Sequence, residues 1–353
     1  MRIFLFLFLI SIKIFQAQVP AYYQSIDLTL SGQPLKQELS NLISSTHQNL
    51  IPYTSNSSID TWDIIKSSDT YILDTSKVYL VYGYNDNDAD FENDLTRDKS
   101  LSCHGSACDG LWNREHVFPK SLSNPILTTN FPGPGTDVHN LRSCDYVTNS
   151  WRGNLKYSSG NGFAGTSSSG NWYPGDSWKG DVARIIMYMY LRYSTQCLPT
   201  NAGDGNTQYS PDGDIPDIFL EWNAADLVSS FEENRNDAIA LFQGNRNPFI
   251  DNPYLATLIW NGPNAENKWL GASNQLNTTI DNFQIAPNPS SNYIEIISSK
   301  NISEIIIFNA VGFPVSVSFN NKINIEDLSS GIYLVSIKNT QGDNLGIKRM
   351  VKN

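Results

Sequence analysis

Apolar residues recur at helical spacing in three parts of the chain. After Pro34, which suits a first helical turn, leucine and isoleucine lie three or four positions apart. A second stretch, Asp181–Tyr193, has an acidic start, an apolar centre and a basic end. A third begins with a capping-box pattern at Ser229 and Glu232 and extends to about Phe242. We therefore predict helices at these three positions.

Strand patterns occur in two settings. Val78 to Tyr82 is β-branched and aromatic, which predicts a strand in the first part of the chain. From Phe283 to the end, short alternating segments are separated by turn residues, and helical periodicity is absent. The patterns predict an α+β domain over residues 18–277, followed by a small all-β, sandwich-like domain over residues 278–353.

The N-terminus has the three regions of a signal peptide. Arg2 supplies a positive start, Ile3–Ile10 is almost entirely apolar, and Ala17 follows a short polar break. The apolar run is too short for a transmembrane helix and is followed by Lys13. We predict cleavage after residue 17 and export, and no integral membrane segment.

Four cysteines in an exported chain favour disulfides. No Cys-x-x-Cys pair is present, which argues against a zinc ribbon. We predict one bridge between Cys103 and Cys108, closing a short loop. We predict a second between Cys144 and Cys197, tying the region after residue 144 to the end of the long central helix.

A polar loop over residues 85–99 contains Asp86, Asp88 and Asp90 in alternation. A calcium-binding loop is one interpretation. The glycine and the downstream glutamate of such a loop are out of register, so a solvated loop is favoured.

The formal net charge of −11 argues, taken alone, against a nucleic-acid partner. The charge is unevenly distributed, because residues 105–200 carry eight Lys or Arg and six acids. This central part is therefore weakly positive, and a divalent cation could add further positive charge.

Residues 111–154 contain the side chains that phosphodiester hydrolysis requires. His116 is suited to take a proton from water near neutral pH. Glu115 and Asn149 offer the oxygen ligands that a hard cation such as Mg²⁺ prefers. Arg142 and Arg152 could contact a phosphate.

Local geometry supports part of this grouping. If Asp145 caps a helix, Asn149 and Arg152 follow at i+4 and i+7 on one face. Glu115 and His116 are adjacent, so a regular strand would point them to opposite faces, unless the strand ends or bulges there. The alternative is structural: a surface ion pair for Glu115 and a half-buried imidazole for His116.

Several ordered motifs resemble the endonuclease I family, whose members are exported nucleases with a ββα-metal (His-Me finger) site. The segments that carry the resemblance are Arg114-Glu115-His116-Val117 with Pro119, His139-Asn140-Leu141, Asn149-x-x-Arg152-Gly153-Asn154 and Gln243-Gly244-Asn245-Arg246-Asn247-Pro248.

The resemblance implies a secreted, metal-dependent, monomeric nuclease that cuts DNA and RNA without strong sequence preference and leaves 5′-phosphorylated products. It implies that His116 is the general base, and that Glu115 and Asn149 hold one Mg²⁺, or Ca²⁺ or Mn²⁺. His139 is expected to orient the strand pair.

The chain departs from the family pattern in two places. Some members carry an arginine for the cleaved phosphate in the loop after the catalytic histidine, but residues 120–135 contain none. Arg142 and Arg152 are the candidates for that role, with Lys120 as an outsider. Some members have histidine where Asn223 stands here, so any role of that position is in doubt.

The C-terminal region resembles the sorting domain of the type IX secretion system. The resemblance rests on a Pro-Asn-Pro start at residue 287, Gly331-Ile332-Tyr333 and a basic end at Lys348–Lys352. It implies recognition by the secretion machinery, against the alternative of an adhesive or carbohydrate-binding sandwich. An inactive nucleic-acid-binding module is the competing interpretation of the whole chain, and a zinc protease is disfavoured because His-Glu-x-x-His is missing.

Overall fold

In a computed structural model, the protein is described over residues 19–269, 283–298, 301–309, 314–339 and 344–353. The expected signal peptide (1–17) and the expected domain boundary near residue 278 lie outside these ranges. The helices and strands up to residue 269 are α1 (Gly32–Thr46), α2 (Thr61–Ser68), β1 (Lys77–Tyr79), β2 (Thr96–Asp98), β3 (Trp112–His116), β4 (Leu141–Asp145), α3 (Tyr146–Arg152), β5 (Gly165–Thr166), β6 (Trp172–Tyr173), α4 (Lys179–Tyr193), α5 (Pro199–Ala202), α6 (Asp217–Ala225), α7 (Ser230–Gln243), α8 (Pro248–Asp251) and α9 (Tyr254–Trp260).

The three predicted helices are confirmed as α1, α4 and α7. In α1 the buried residues are Leu35, Leu39 and Ile43, which repeat every four positions as the sequence pattern requires. In α7 the Ser229–Glu232 capping box is present.

Helix α4 lies at the centre of the main core. Nearly all of its residues between Gly180 and Leu191 are buried, and it contacts α1, α6 and α8. A helix that is apolar around most of its circumference must be surrounded by other elements. Strand residues Tyr79, Cys144 and Trp172 belong to the same core cluster as α4, so helices and strands share the core and the class is α+β as predicted.

The first predicted strand is shorter than expected. Strand β1 ends at Tyr79 and pairs antiparallel with β2. Tyr82 has a φ of 75°, so the backbone is no longer extended at that residue. This turn places the Tyr82 side chain in the buried interior beside β3.

The aspartates of the loop after residue 85 are committed to local hydrogen bonds. Asp86 accepts from the backbone of Leu95 and Thr96, and Asp88 accepts from Asn85 and from the backbone of Asp90. These contacts order the loop locally.

One of the two predicted disulfides is present. Cys103 and Cys108 are bonded. The Cys144–Cys197 prediction is wrong, because both thiols are free and buried. The Cys144 sulfur faces the carbonyl of Val81, and each thiol packs as a small apolar group within the main core.

The C-terminal strands are β7 (Phe283–Ala286), β8 (Tyr293–Ser298), β9 (Ile302–Asn309), β10 (Pro314–Ser318), β11 (Lys322–Asn324), β12 (Gly331–Asn339) and β13 (Asn344–Lys352). They form two antiparallel sheets, with strand orders β10-β9-β12-β13 and β11-β8-β7. Ile294, Ile296, Ile305 and Ile307 are buried in one cluster that includes side chains of both sheets. The predicted all-β module is confirmed.

Candidate active site

The site is formed by a two-stranded sheet and the helix that follows it directly. Strands β3 and β4 pair antiparallel, with Glu115 opposite Arg142 and His116 opposite Leu141. Asp145 ends β4 and caps α3 by accepting from the backbone N–H of Thr148 at 2.8 Å. The predicted cap is confirmed, and α3 is held against β3 from its first turn.

Two side-chain contacts join α3 to one face of β3. Asn149 Nδ2 donates to Asn113 Oδ1 at 2.7 Å, and Arg152 Nη1 lies 3.2 Å from Glu115 Oε1. Residues two apart share a face of a strand, and residues three apart share a face of a helix. Asn113, Glu115, Asn149 and Arg152 therefore form two adjacent rungs between the strand and the helix.

Glu115 is held in a buried position. It is 2% exposed, and its Oε1 accepts a 3.0 Å hydrogen bond from the Tyr82 hydroxyl. Burial raises the pKa of Glu115 above its usual range, while Arg152 and the Tyr82 hydroxyl favour the charged form and oppose that rise. The carboxylate is thus positioned from two sides, by Tyr82 and by Arg152.

His116 is the last residue of β3. The strand therefore ends at this position, as the sequence requires if Glu115 and His116 are to serve one site. The Nε2 of His116 lies 2.8 Å from the carbonyl oxygen of Gly135. A carbonyl can only accept, so Nε2 carries the hydrogen and Nδ1 carries the lone pair. Burial lowers the pKa of His116 to about 3, which keeps the ring neutral. Nδ1 has no hydrogen-bond partner within the described parts of the chain.

Arg152 contacts Glu115, but its buried side chain is not free to move toward a bound substrate. Its side chain is 1% exposed. Besides Glu115, its guanidinium donates to the carbonyls of His116 at 3.3 Å and Val117 at 2.9 Å. Arg152 therefore binds both the carboxylate and the backbone at the end of β3.

The structure does not bring Arg142 to this site. Its guanidinium is buried, with Nε 3.2 Å from Asp69 and Nη1 3.0 Å from Asp181. Arg235 pairs with the same Asp69. Arg142 belongs to a buried ion-pair network among α2, α4 and α7. This placement corrects the expectation of a phosphate contact, because leaving that network would strand buried charges.

The other residues singled out by the sequence lie elsewhere. His139 is buried, stacks on Tyr188 and contacts the carbonyl of Asn245, which is a packing role. Arg246 pairs with Asp251. Asn223 donates to the carbonyl of Pro253. Lys120 is exposed just after His116.

Comparison with known proteins identifies the family. The profile of the family described as Endonuclease I matches residues 31–254. The chain belongs to the endonuclease I family. The profile described as a secretion system C-terminal sorting domain matches residues 284–353. The family resemblance and the type IX sorting resemblance of the sequence are both confirmed.

Two relatives are extracellular ribonucleases of Bacillus. The chain is 35% identical over 257 residues to the extracellular ribonuclease of Bacillus amyloliquefaciens, covering 69% of this chain and 79% of the relative. The match to the extracellular ribonuclease of Bacillus subtilis (strain 168) is also 35% identical, covering 80% of that protein. This member of the family is therefore a nuclease, secreted or held at the cell surface. Within the described ranges, no helix is long and apolar enough to cross a lipid bilayer.

Sequence reasoning missed three residues that contact the predicted set. Asn113 lies two positions before Glu115, so strand periodicity alone could have placed it on the same face. Tyr82 and Gly135 come from distant segments, and nothing local in the sequence indicates their approach to Glu115 and His116.

Proposed function

We propose that this nuclease is metal-dependent and hydrolyses phosphodiester bonds of DNA and RNA without strong sequence preference, leaving 5′-phosphates. The observation that carries the proposal is the placement of Glu115 and Asn149 on joined faces of β3 and α3, with a neutral His116 ending the same strand. The order β3, β4, α3 has the elements of the ββα-metal (His-Me finger) arrangement.

The donor set suits a hard divalent cation. Glu115 offers a carboxylate and Asn149 an amide oxygen, and Asn113 adds a second amide next to Asn149. Within the described ranges, no cluster of three or more His, Cys, Asp or Glu that could hold a metal is found, which disfavours a zinc-type cage. Mg²⁺ keeps several waters and needs few protein ligands, and Ca²⁺ or Mn²⁺ also accept oxygen donors. When bound, the cation would stabilise negative charge on the phosphate and the leaving oxygen.

His116 would act as the general base. Its Nδ1 lone pair takes a proton from the water that attacks phosphorus, and the bond from phosphorus to the 3′ oxygen breaks. The leaving 3′ oxygen takes a proton from solvent water, and His116 afterwards returns its proton to solvent. The products are a 5′-phosphate and a 3′-hydroxyl. The Gly135 carbonyl fixes the tautomer and orients the ring, and burial keeps the imidazole unprotonated before the reaction.

Strand β3 allows side chains from both of its faces to serve one phosphate. It pairs with β4 along one edge; on its other edge Trp112 forms a bridge with Ser102, and among the described residues no strand pairs with that edge from Asn113 to His116. Glu115 points to the α3 face, whereas His116 points to the Tyr53 face, where the two rings stack at 5.7 Å. A phosphate placed at the unpaired edge, beside the end of the strand, would lie between them.

We assign Arg152 a positioning role, because its guanidinium is occupied by Glu115 and by the backbone carbonyls of His116, Val117 and Gly153. Contacts with the phosphate backbone of the substrate would then come from partly exposed Lys or Arg side chains near β3. The residues proposed here act on the phosphate and not on a base edge, which fits weak sequence preference on DNA and RNA. We further propose that the enzyme acts as a monomer.

Chelation tests the proposal directly. We expect the wild-type protein to degrade plasmid DNA and ribosomal RNA with Mg²⁺ present, and to lose at least about 10²-fold in rate in EDTA. Adding back Mg²⁺, Mn²⁺ or Ca²⁺ one at a time then shows which metal supports the fastest cleavage. Ligation of the fragments without prior kinase treatment checks for 5′-phosphates. Undiminished cleavage in EDTA would contradict the metal site.

The C-terminal module is expected to be dispensable for catalysis. Its cluster of buried residues contains only residues from 283 onward, and the clusters around α2 and α4 contain none of them. A protein ending at Asn277 should therefore fold and cleave DNA within about twofold of the full-length rate. Secretion through the type IX route should fail, leaving the truncated enzyme in the periplasm.

Activity assays on periplasmic and culture-medium fractions measure both effects. A folded, truncated protein that has lost activity would instead show that the module takes part in substrate binding.

A further inference from the structure

A cavity beside the proposed active site has no role in the chemistry described above. It has a volume of about 280 Å³ and is lined by Tyr53, Thr54, Trp62, Cys103, His104, Gly105, Asn113 and Arg114. Its volume is just below that of ordinary ligand pockets, which span about 300–1,000 Å³, so it could hold no more than one nucleotide. Asn113 and Arg114 point to opposite faces of β3, so the cavity borders the unpaired edge of that strand.

Arg114 gives this cavity a positive charge without a direct ion-pair partner. Its guanidinium lies 3.4 Å from the Tyr53 ring centre and 4.0 Å from that of Trp62. It donates to the neutral oxygens of Thr61 at 2.8 Å and Thr54 at 3.2 Å, and to the carbonyl of Tyr53. Across the described ranges, no carboxylate lies within ion-pair distance of Arg114.

The carboxylate of Asp60, whose charge acts on Arg114, already accepts other hydrogen bonds. It caps α2 through the backbone of Trp62 and Asp63 and also accepts from Ser55. An anion entering the cavity would therefore meet an Arg114 guanidinium that has only neutral hydrogen-bond partners.

His104 gives the same cavity a flat aromatic surface. Its ring stacks on Trp62 with centres 4.2 Å apart and planes 30° apart, and the residue is otherwise exposed. The Cys103–Cys108 disulfide closes the loop that carries it. Trp62 is buried against Trp112 and supports the imidazole from behind. The outer face of His104 is thus a rigid platform of the kind on which an unstacked base can lie.

We propose that this cavity is a subsite for the nucleotide next to the cleaved bond, with the base stacked on His104 and its phosphate paired with Arg114. The proposal rests on the nuclease function proposed above and adds how the enzyme holds its substrate. A stacked base must be free of its own neighbours, so the subsite selects single-stranded or locally opened DNA and RNA. Stacking accepts every base, in keeping with weak sequence preference.

Two variants separate the contributions of the base and the phosphate. For His104→Ala, we expect KM on a single-stranded 12-mer to rise about 5- to 100-fold with kcat nearly unchanged. For Arg114→Ala, we expect weaker binding and a salt dependence of log KM reduced by about 0.7, one phosphate contact on a single strand. Arg114→Lys should recover the salt dependence and only part of the affinity.

Control variants match each change. Ser106→Ala alters the same disulfide loop without removing a ring, and Lys66→Ala removes a nearby positive charge that does not line the cavity. Both should leave KM and the salt dependence at wild-type values. Thermal melting of every variant shows whether the fold is intact, which matters for Arg114→Ala because Arg114 also ties down Tyr53 and Thr54.

An abasic scan provides a second measurement that unfolding cannot mimic. An abasic residue is moved one position at a time along the 12-mer. The cleaved bonds are mapped for each substrate, and we expect the wild-type enzyme to cut more slowly at the one bond that lies at a fixed offset from the abasic residue, an effect that His104→Ala should not show. Unchanged KM in His104→Ala, or no such bond, would overturn the subsite while wild-type cleavage with metal still upheld the nuclease function.

Discussion

Replacing His116 by alanine should lower kcat on plasmid DNA and on RNA by about 10²- to 10⁴-fold, the usual contribution of a general base. The Nδ1 lone pair is the proton acceptor in the proposed reaction, and no other imidazole can take its place. His139 is buried against Tyr188, His47 is buried 3.8 Å from Asp137, and His104 stacks on Trp62 at the neighbouring cavity. Metal binding should persist, because Glu115 and Asn149 remain.

His116→Gln is the matched variant for this test. Glutamine can still donate to the Gly135 carbonyl but has no basic nitrogen. Both variants should therefore be inactive and retain the wild-type Mn²⁺ affinity, measured by calorimetry. Turnover of His116→Gln within about tenfold of wild type would remove His116 from the role of base.

Removing the Glu115 carboxylate should weaken metal affinity by about 10²-fold or more. Loss of an outer-shell partner alone typically costs 10- to 100-fold, and Glu115 is a proposed direct ligand. The residue also balances Arg152 at 3.2 Å in the buried interior. Glu115→Ala leaves that guanidinium unpaired, which costs about 3–5 kcal/mol of folding stability, so Glu115→Gln is the better variant.

Asn149→Ala tests the loss of metal binding separately from any loss of folding stability. Asn149 is only partly buried and carries no charge, so its removal breaks the contact with Asn113 and leaves the Glu115–Arg152 pair in place. We expect a higher Mg²⁺ requirement for cleavage with a nearly unchanged melting temperature. Mg²⁺ titrations of activity, run beside melting curves, give both numbers. A wild-type Mg²⁺ requirement in both variants would rule out this pair as the metal site.

Much of the local structure around the site could be predicted. Asp145, Asn149 and Arg152 lie within seven positions of one another, so their placement at the cap and on one face of a helix is a local property. The structure has this cap and this helix. Ordered sequence motifs indicate Glu115, His116 and Asn149 as the site residues. The structure places Glu115 and Asn149 on joined faces and ends β3 at His116, while their chemical roles stay a prediction.

The arginines show where local reasoning failed. Arg142 and Arg152 have the same charge and lie in similar stretches of sequence, yet only Arg152 contacts Glu115. Arg142 is held by Asp69 and Asp181, which are 73 and 39 positions away. Spacing within one element cannot indicate which distant acids the fold will bring close.

The sequence by itself determined the elements whose signals are local: the phases of α1, α4 and α7, the cap of α3, the all-β character of the tail and the short-range Cys103–Cys108 bridge. Hydrophobic period, capping and short loop closure act over a few residues, so they can be read directly from the chain. Only the tertiary structure decided that Cys144 and Cys197 stay unpaired, that Tyr82 and Gly135 hold Glu115 and His116, and that His104 and Arg114 share a cavity. These outcomes depend on how helices and strands pack around α4, and burial selects those contacts among segments far apart in sequence.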